Sequence, residues 1–119
     1  MRVESAHKIE EHKGKCKQLH GHSYQIILLK SYDKLNDMNM AEDFDNIGKY
    51  FDVGLSGMKD LLDHKYLNDV FNEPNLTAEL LAKKIYDMVA THNINAVMVG
   101  ETEHNFVIYD GRRWLVGKG

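Results

Sequence analysis

Along this chain β-branched and aliphatic runs give way to apolar residues at three- and four-residue helical spacing and then return, and that double change restricts the fold more than any single residue does. Ser23 to Ser31 contains Tyr24, Ile26, Ile27, Leu28 and Leu29, a run rich in β-branched and aliphatic residues that predicts a buried strand. Residues 2–9 can supply its partner. Lys13-Gly14-Lys15-Cys16-Lys17 lacks apolar periodicity and is the loop that would close the hairpin. From Phe44 the pattern turns helical, with Phe44, Ile47, Phe51, Leu55, Met58 and Leu62 at three- and four-residue spacing and Asp43 as the N-cap. Gly48, Gly54 and Gly57 predict a helix that is irregular or broken midway. A second helix is capped by Thr77, carries Glu79 in its first turn, and buries Leu81, Ile85, Met88 and Val89 after the Pro74-Asn75 turn. Ala96 to Glu101 and Asn105 to Tyr109 return to strand, with Glu103 and His104 in a tight turn between them. The order is β-β-α-α-β-β. It predicts an α+β domain over residues 1–119, an antiparallel sheet of four strands with two helices on one face.

Composition removes several function classes. Fifteen basic against eighteen acidic residues give a formal charge of −3, which argues against nucleic acid as the partner. The single cysteine, Cys16, cannot form an internal disulfide. No apolar run approaches the roughly 20 residues of a membrane span, and Met1-Arg2-Val3-Glu4-Ser5 lacks a signal-peptide core. The expectation is a small, soluble, cytoplasmic domain with seven histidines to account for.

The informative segment is Cys16-Lys17-Gln18-Leu19-His20-Gly21-His22. Alternate side chains on a strand share a face, so His20 and His22 project together, and two imidazoles so placed can chelate one metal. His7 on the first strand is the natural third ligand. Three imidazoles with an open fourth position is the pattern of a catalytic zinc site. The same pair also reads as surface polarity. Cys16 reads as a ligand, a nucleophile or base, or a buried small side chain, and Lys15 and Lys17 beside it favour the thiolate.

Two further places carry chemistry. In Asp63-His64 an aspartate that bonds one imidazole nitrogen would leave the other for proton transfer; a histidine at a helix C-terminus meeting the macrodipole is equally consistent. Glu101 ends an apolar strand after Gly100, where a carboxylate can accept two hydrogen bonds from an amidine-like ring edge or stand in solvent at the rim.

Taken together, Ser5-Ala6-His7, Cys16-x-x-x-His20-Gly21-His22-Ser23-Tyr24, Asp43-Phe44, Leu62-Asp63-His64, Leu67-Asn68, Leu76-Thr77-Ala78-Glu79 and Gly100-Glu101-Thr102 span nearly the whole chain. In this order they closely resemble the 6-pyruvoyltetrahydropterin synthase and 6-carboxytetrahydropterin synthase family. The Cys16 to His20 spacing is similar to the bacterial and archaeal carboxytetrahydropterin synthases. One departure is Glu73-Pro74-Asn75-Leu76-Thr77, where the family more often has Asn-Pro-Thr.

The resemblance implies the tunnelling fold, assembled through its sheets into a barrel as a homotrimer or homohexamer with active sites between subunits. It implies zinc held by His7, His20 and His22, a catalytic thiol at Cys16 with Asp63 and His64 as proton-relay partners, and pterin contacts from Glu101 and the loop at Thr77. The implied substrate is 7,8-dihydroneopterin triphosphate. The implied products are 6-carboxy-5,6,7,8-tetrahydropterin, a queuosine and 7-deazaguanine precursor, with acetaldehyde and triphosphate. The alternatives are 6-pyruvoyltetrahydropterin synthase, which eliminates triphosphate only, and a non-catalytic zinc- or pterin-binding module. Presence of Cys16, Asp63, His64 and Glu101 together speaks against the last, because a binder needs no proton relay. Lys8, Lys13 and Lys15 are open candidates for contact with the triphosphate.

Overall fold

A computed structural model of the 119-residue chain describes residues 1–10 and 19–119. Its strands are β1 (Arg2–His7), β2 (His20–Leu29), β3 (Ala96–Gly100), β4 (Asn105–Tyr109) and β5 (Trp114–Lys118). Between β2 and β3 lie α1 (Phe44–Leu55), α2 (Met58–Leu62), α3 (Leu67–Val70) and α4 (Ala78–Val89), the last followed by a 3₁₀ turn at Ala90–His92. The strands form one sheet in sequence order, with every neighbouring pair antiparallel.

Strand alternation sorts the residues onto two faces. Val3, Ser5 and His7 of β1, Tyr24, Ile26 and Leu28 of β2, Val97 and Val99 of β3, and Val107 and Tyr109 of β4 are all buried on the helical face. Against them α4 sets Leu81, Ala82, Ile85 and Val89, the stripe that its periodicity prescribes. Full burial of one such aliphatic side chain contributes about 1.5–3 kcal/mol, so this layer dominates the stability of the sheet. Both predicted caps form: Asp43 accepts from the Asp45 N–H at 2.8 Å and Thr77 Oγ1 from the Leu80 N–H at 3.1 Å.

The α+β order holds, with two refinements and one correction. β2 begins at His20, so both histidines of the His-x-His pair are strand residues. The expected helix over 44–62 is two helices, because Gly57 takes φ = 76° and ends the regular backbone between α1 and α2. The correction is to the sheet, which has five strands rather than four among the described residues. Asp110-Gly111 is a hairpin dipeptide: Asp110 Oδ1 accepts from the Arg112 and Arg113 N–H groups, and Gly111 adopts φ = 93°. Trp114 then packs on Tyr109, ring centroids 4.5 Å apart, and donates its indole N–H to the Glu79 carbonyl on α4.

The two sheet edges differ. β5 ends the sheet with Trp114, Leu115 and Val116 exposed. The outer edge of β1 is covered by the chain itself, since His64 N–H donates to the Glu4 carbonyl and Ala6 N–H to the Lys65 carbonyl. That stitch brings the Asp63-His64 step against β1. No helix among the described residues is long and apolar enough to cross a membrane.

Candidate metal centre

Sheet register assembles the histidines. His7 lies directly opposite His20 across the β1–β2 ladder, and Ser5 opposite His22. Because His20 and His22 share a face, the three imidazoles converge, with ring centroids 4.5 Å (His7–His20), 4.9 Å (His7–His22) and 4.7 Å (His20–His22) apart. Tyr24 continues the row, edge-on to His7 and His22 at 5.6 and 5.4 Å.

His7 is only 1% exposed, and its orientation is fixed from behind. Its Nδ1 lies 2.7 Å from the Leu76 carbonyl, which can only accept, so Nδ1 carries the proton and the Nε2 lone pair faces the cluster. The residue after it is clamped as well. Buried Asn68 accepts from the Lys8 N–H and donates to the carbonyls of Lys8, Glu73 and Pro74, tying the end of β1 to the loop that leads to Leu76. Such a backing of a ligand histidine sets its tautomer and raises its basicity.

Glu101 completes the cluster. Its Oε1 lies 3.0 Å from His7 Nε2 and 3.1 Å from His22 Nε2, while His7 and His20 Nε2 are 2.9 Å apart. The four donor atoms all fall within 4.8 Å of one another. Contact with His7 holds the Glu101 carboxyl below its usual range despite partial burial, and burial pushes the His22 imidazole down. Glu101 is therefore biased toward the anionic carboxylate and His22 toward the neutral imidazole, the forms that bind metal.

The arrangement offers a cation a set of donors. With His7 Nδ1 directed at the Leu76 carbonyl, its Nε2 and the Glu101 oxygen both face the centre of the cluster. His22 Nε2 is buried and has no hydrogen-bond partner of good geometry among the described residues. A tetrahedral ion with bonds of about 2.0 Å sets its ligand atoms about 3.3 Å apart, close to the separations seen here. These residues fit a zinc-type ion.

The other expected site residues are placed as follows. Asp63 Oδ1 accepts from the Glu4 N–H at 2.8 Å and lies 3.2 Å from His64 Nδ1. The Glu4 contact is the main reason that the Asp63 carboxyl sits below its ordinary range. His64 is 77% exposed, has φ = 55°, and borders an open cleft of about 500 Å³ with Glu4, Ser23 and Tyr66. His22 reaches the same cleft. Thr77 serves as the cap of α4. Lys8 pairs with Glu10 at 3.3 Å. Cys16, Lys13 and Lys15 lie outside the described residues. Sequence reading missed Asn68 and the Leu76 carbonyl as the groups behind His7. Leu67-Asn68 and Leu76-Thr77 were legible only as motif pieces, and a backbone carbonyl leaves no residue-type signal.

Comparison with known proteins identifies the family and the fold. The profile of the family described as 6-pyruvoyl tetrahydropterin synthase matches residues 1–112, leaving β5 beyond its end. The 6-carboxy-5,6,7,8-tetrahydropterin synthase of Synechocystis sp. is 34% identical over 87 residues, covering 70% of this chain. The protein of the same name from Aquifex aeolicus is 29% identical over 111 residues, covering 75% of this chain. The chain spans 65% of the length of each of these relatives. The structure of Caenorhabditis elegans 6-pyruvoyl tetrahydropterin synthase superposes with a TM-score of 0.63 over 93% of this chain and 91% of that one, at 22% identity, a likeness of fold. A sheet that converges three histidines, within a sequence matched along residues 1–112, places the chain in the 6-pyruvoyl tetrahydropterin synthase family.

Proposed function

We propose that the chain is a zinc-dependent lyase that converts 7,8-dihydroneopterin triphosphate and one water to 6-carboxy-5,6,7,8-tetrahydropterin, acetaldehyde and triphosphate. Its product would feed queuosine and other 7-deazaguanine synthesis. The observation that carries the reading is the convergence of His7, His20, His22 and Glu101, whose four donor atoms lie within 4.8 Å of one another and could hold one metal ion. The names of the Synechocystis and Aquifex relatives support the carboxy product.

His7, His20 and His22 would hold the zinc. The ion when bound supplies Lewis acidity to the side-chain hydroxyls of the substrate and so acidifies the adjacent C–H bond. Cys16 as thiolate takes or returns a proton on one face. His64, held through Nδ1 by Asp63, does so on the other, which leaves its Nε2 for exchange. Glu101 anchors the pterin by accepting two N–H donors of its ring edge, and the loop at Thr77 contacts the ring. Because His64 borders an open cleft on a single chain, a homotrimer or homohexamer would complete the site between subunits.

A second reading is 6-pyruvoyltetrahydropterin synthase, favoured by the family description and by the name of the C. elegans protein that shares the fold. One assay separates the two. Incubation with 7,8-dihydroneopterin triphosphate should release acetaldehyde and triphosphate together. Triphosphate without acetaldehyde would establish the pyruvoyl reaction, and release of neither would overturn both readings.

A further inference from the structure

We propose that Glu101 is an exchangeable fourth ligand of the metal, closing the histidine site when no pterin is bound and leaving it when the pterin arrives. This rests on the zinc reading above and adds a second task to the residue expected to anchor the ring.

The two tasks compete for one carboxylate. An anchor that accepts two ring N–H donors uses both oxygens, whereas here Oε1 is set between His7 and His22 Nε2, at 3.0 and 3.1 Å. That position is the one a ligand shared with the imidazoles would take. His7 Nδ1 is directed at the Leu76 carbonyl, which turns its Nε2 to the cluster, and His22 Nε2 is buried without a well-directed hydrogen-bond partner among the described residues. One cation bound to both imidazoles would reach the same carboxylate oxygen.

Mobility is distributed in the way that exchange needs. The histidines belong to paired strands, and His7 is backed by a carbonyl and by the Asn68 clamp. Glu101 is instead the residue just after β3, at the start of the Glu101–His104 connection to β4. Its N–H bonds the Asn105 carbonyl, but its side chain is 29% exposed and reaches the cluster from the rim. Rotation about side-chain bonds can turn it from metal to incoming ring without disturbing the sheet. The consequence is a site that is four-coordinate at rest and opens a position only for a ligand able to take up the carboxylate.

Cobalt(II) substitution of the full chain tests this, with visible d–d absorption reporting coordination. Wild type should show the intense bands of a four-coordinate site, and added neopterin should shift them. Glu101→Gln should bind cobalt and zinc at least about tenfold more weakly, since even groups behind the ligands act on a scale of 10–100-fold. Its spectrum should differ from wild type before neopterin is added. Glu101→Asp, which keeps a shorter carboxylate, should fall between the two. Spectra and affinities identical to wild type in both variants would overturn the proposal while leaving the three-histidine site intact. Failure of wild type to bind cobalt or zinc at all would overturn the zinc reading beneath it.

Discussion

Two of the histidine-bearing regions of this molecule, the β1–β2 cluster and the Asp63-His64 step, are built on opposite principles. In the β1–β2 cluster each ring is placed by sheet register, His7 is 1% exposed, and its tautomer is set by a backbone carbonyl. At Asp63-His64 the aspartate is fixed by the Glu4 N–H, but the imidazole is 77% exposed in a left-handed backbone conformation that few non-glycine residues adopt. A single chain therefore closes the candidate metal cluster against its sheet and presents the Asp63-His64 step outward. Preorganisation suits a group that must hold a cation. Exposure suits one that must meet a substrate and exchange protons with it.

This contrast can be broken at several points. The largest effect should come from His20→Ala with His22→Ala. Metal content should fall from about one per chain to background while circular dichroism keeps the native spectrum. Full metal content in that variant would remove the cluster from the account. Next is His64→Ala, which should lower kcat by about 10²–10⁴-fold, the range of general acid–base catalysis, with metal content unchanged. Loss of metal there would mean that the two regions are not separate.

Asn68→Ala should act on the first region from behind. It removes the side-chain partner of partly buried backbone groups of Lys8, Glu73 and Pro74, costing about 1–2 kcal/mol in denaturant unfolding. It should also weaken zinc binding by releasing the β1 end next to His7, and unchanged affinity would show that the clamp serves the fold only. The smallest effect is electrostatic and belongs to the second region. The Asp63 carboxyl lies below its unfolded value, first through the Glu4 N–H, so it stabilises the fold fully above about pH 4 and loses that contribution as pH falls through the lower native value. The stability advantage of wild type over Asp63→Asn should shrink across that acid window. An advantage independent of pH would assign the effect to shape rather than charge.

Much of this was legible in the sequence because side-chain period reports burial directly. The 23–31 run, the α4 stripe with its Thr77 cap and the 96–109 hairpin all follow from apolar spacing, and the His20–His22 pairing follows from strand alternation. The convergence of His7 needed only the hairpin. β5 carried a signal in Asp110-Gly111 followed by Trp114-Leu115-Val116, but three apolar residues are a short pattern, and pairing with β4 is a long-range outcome of packing on Tyr109 and α4. The position of Glu101 against the imidazoles was not legible. It depends on where a turn directs one side chain, and the residue type alone fits a pterin anchor, a metal ligand or a solvated rim equally. The Leu76 carbonyl behind His7 was hidden for a simpler reason, since every residue has one.

The central claim is that β1 and β2 present a preformed metal site. Titration of the metal-stripped protein with zinc in competition with a chromophoric chelator tests it most directly. The account predicts one tight equivalent per chain that disappears when His20 and His22 are both replaced. Absence of a tight equivalent in the wild type, or its persistence in the double variant, would contradict it.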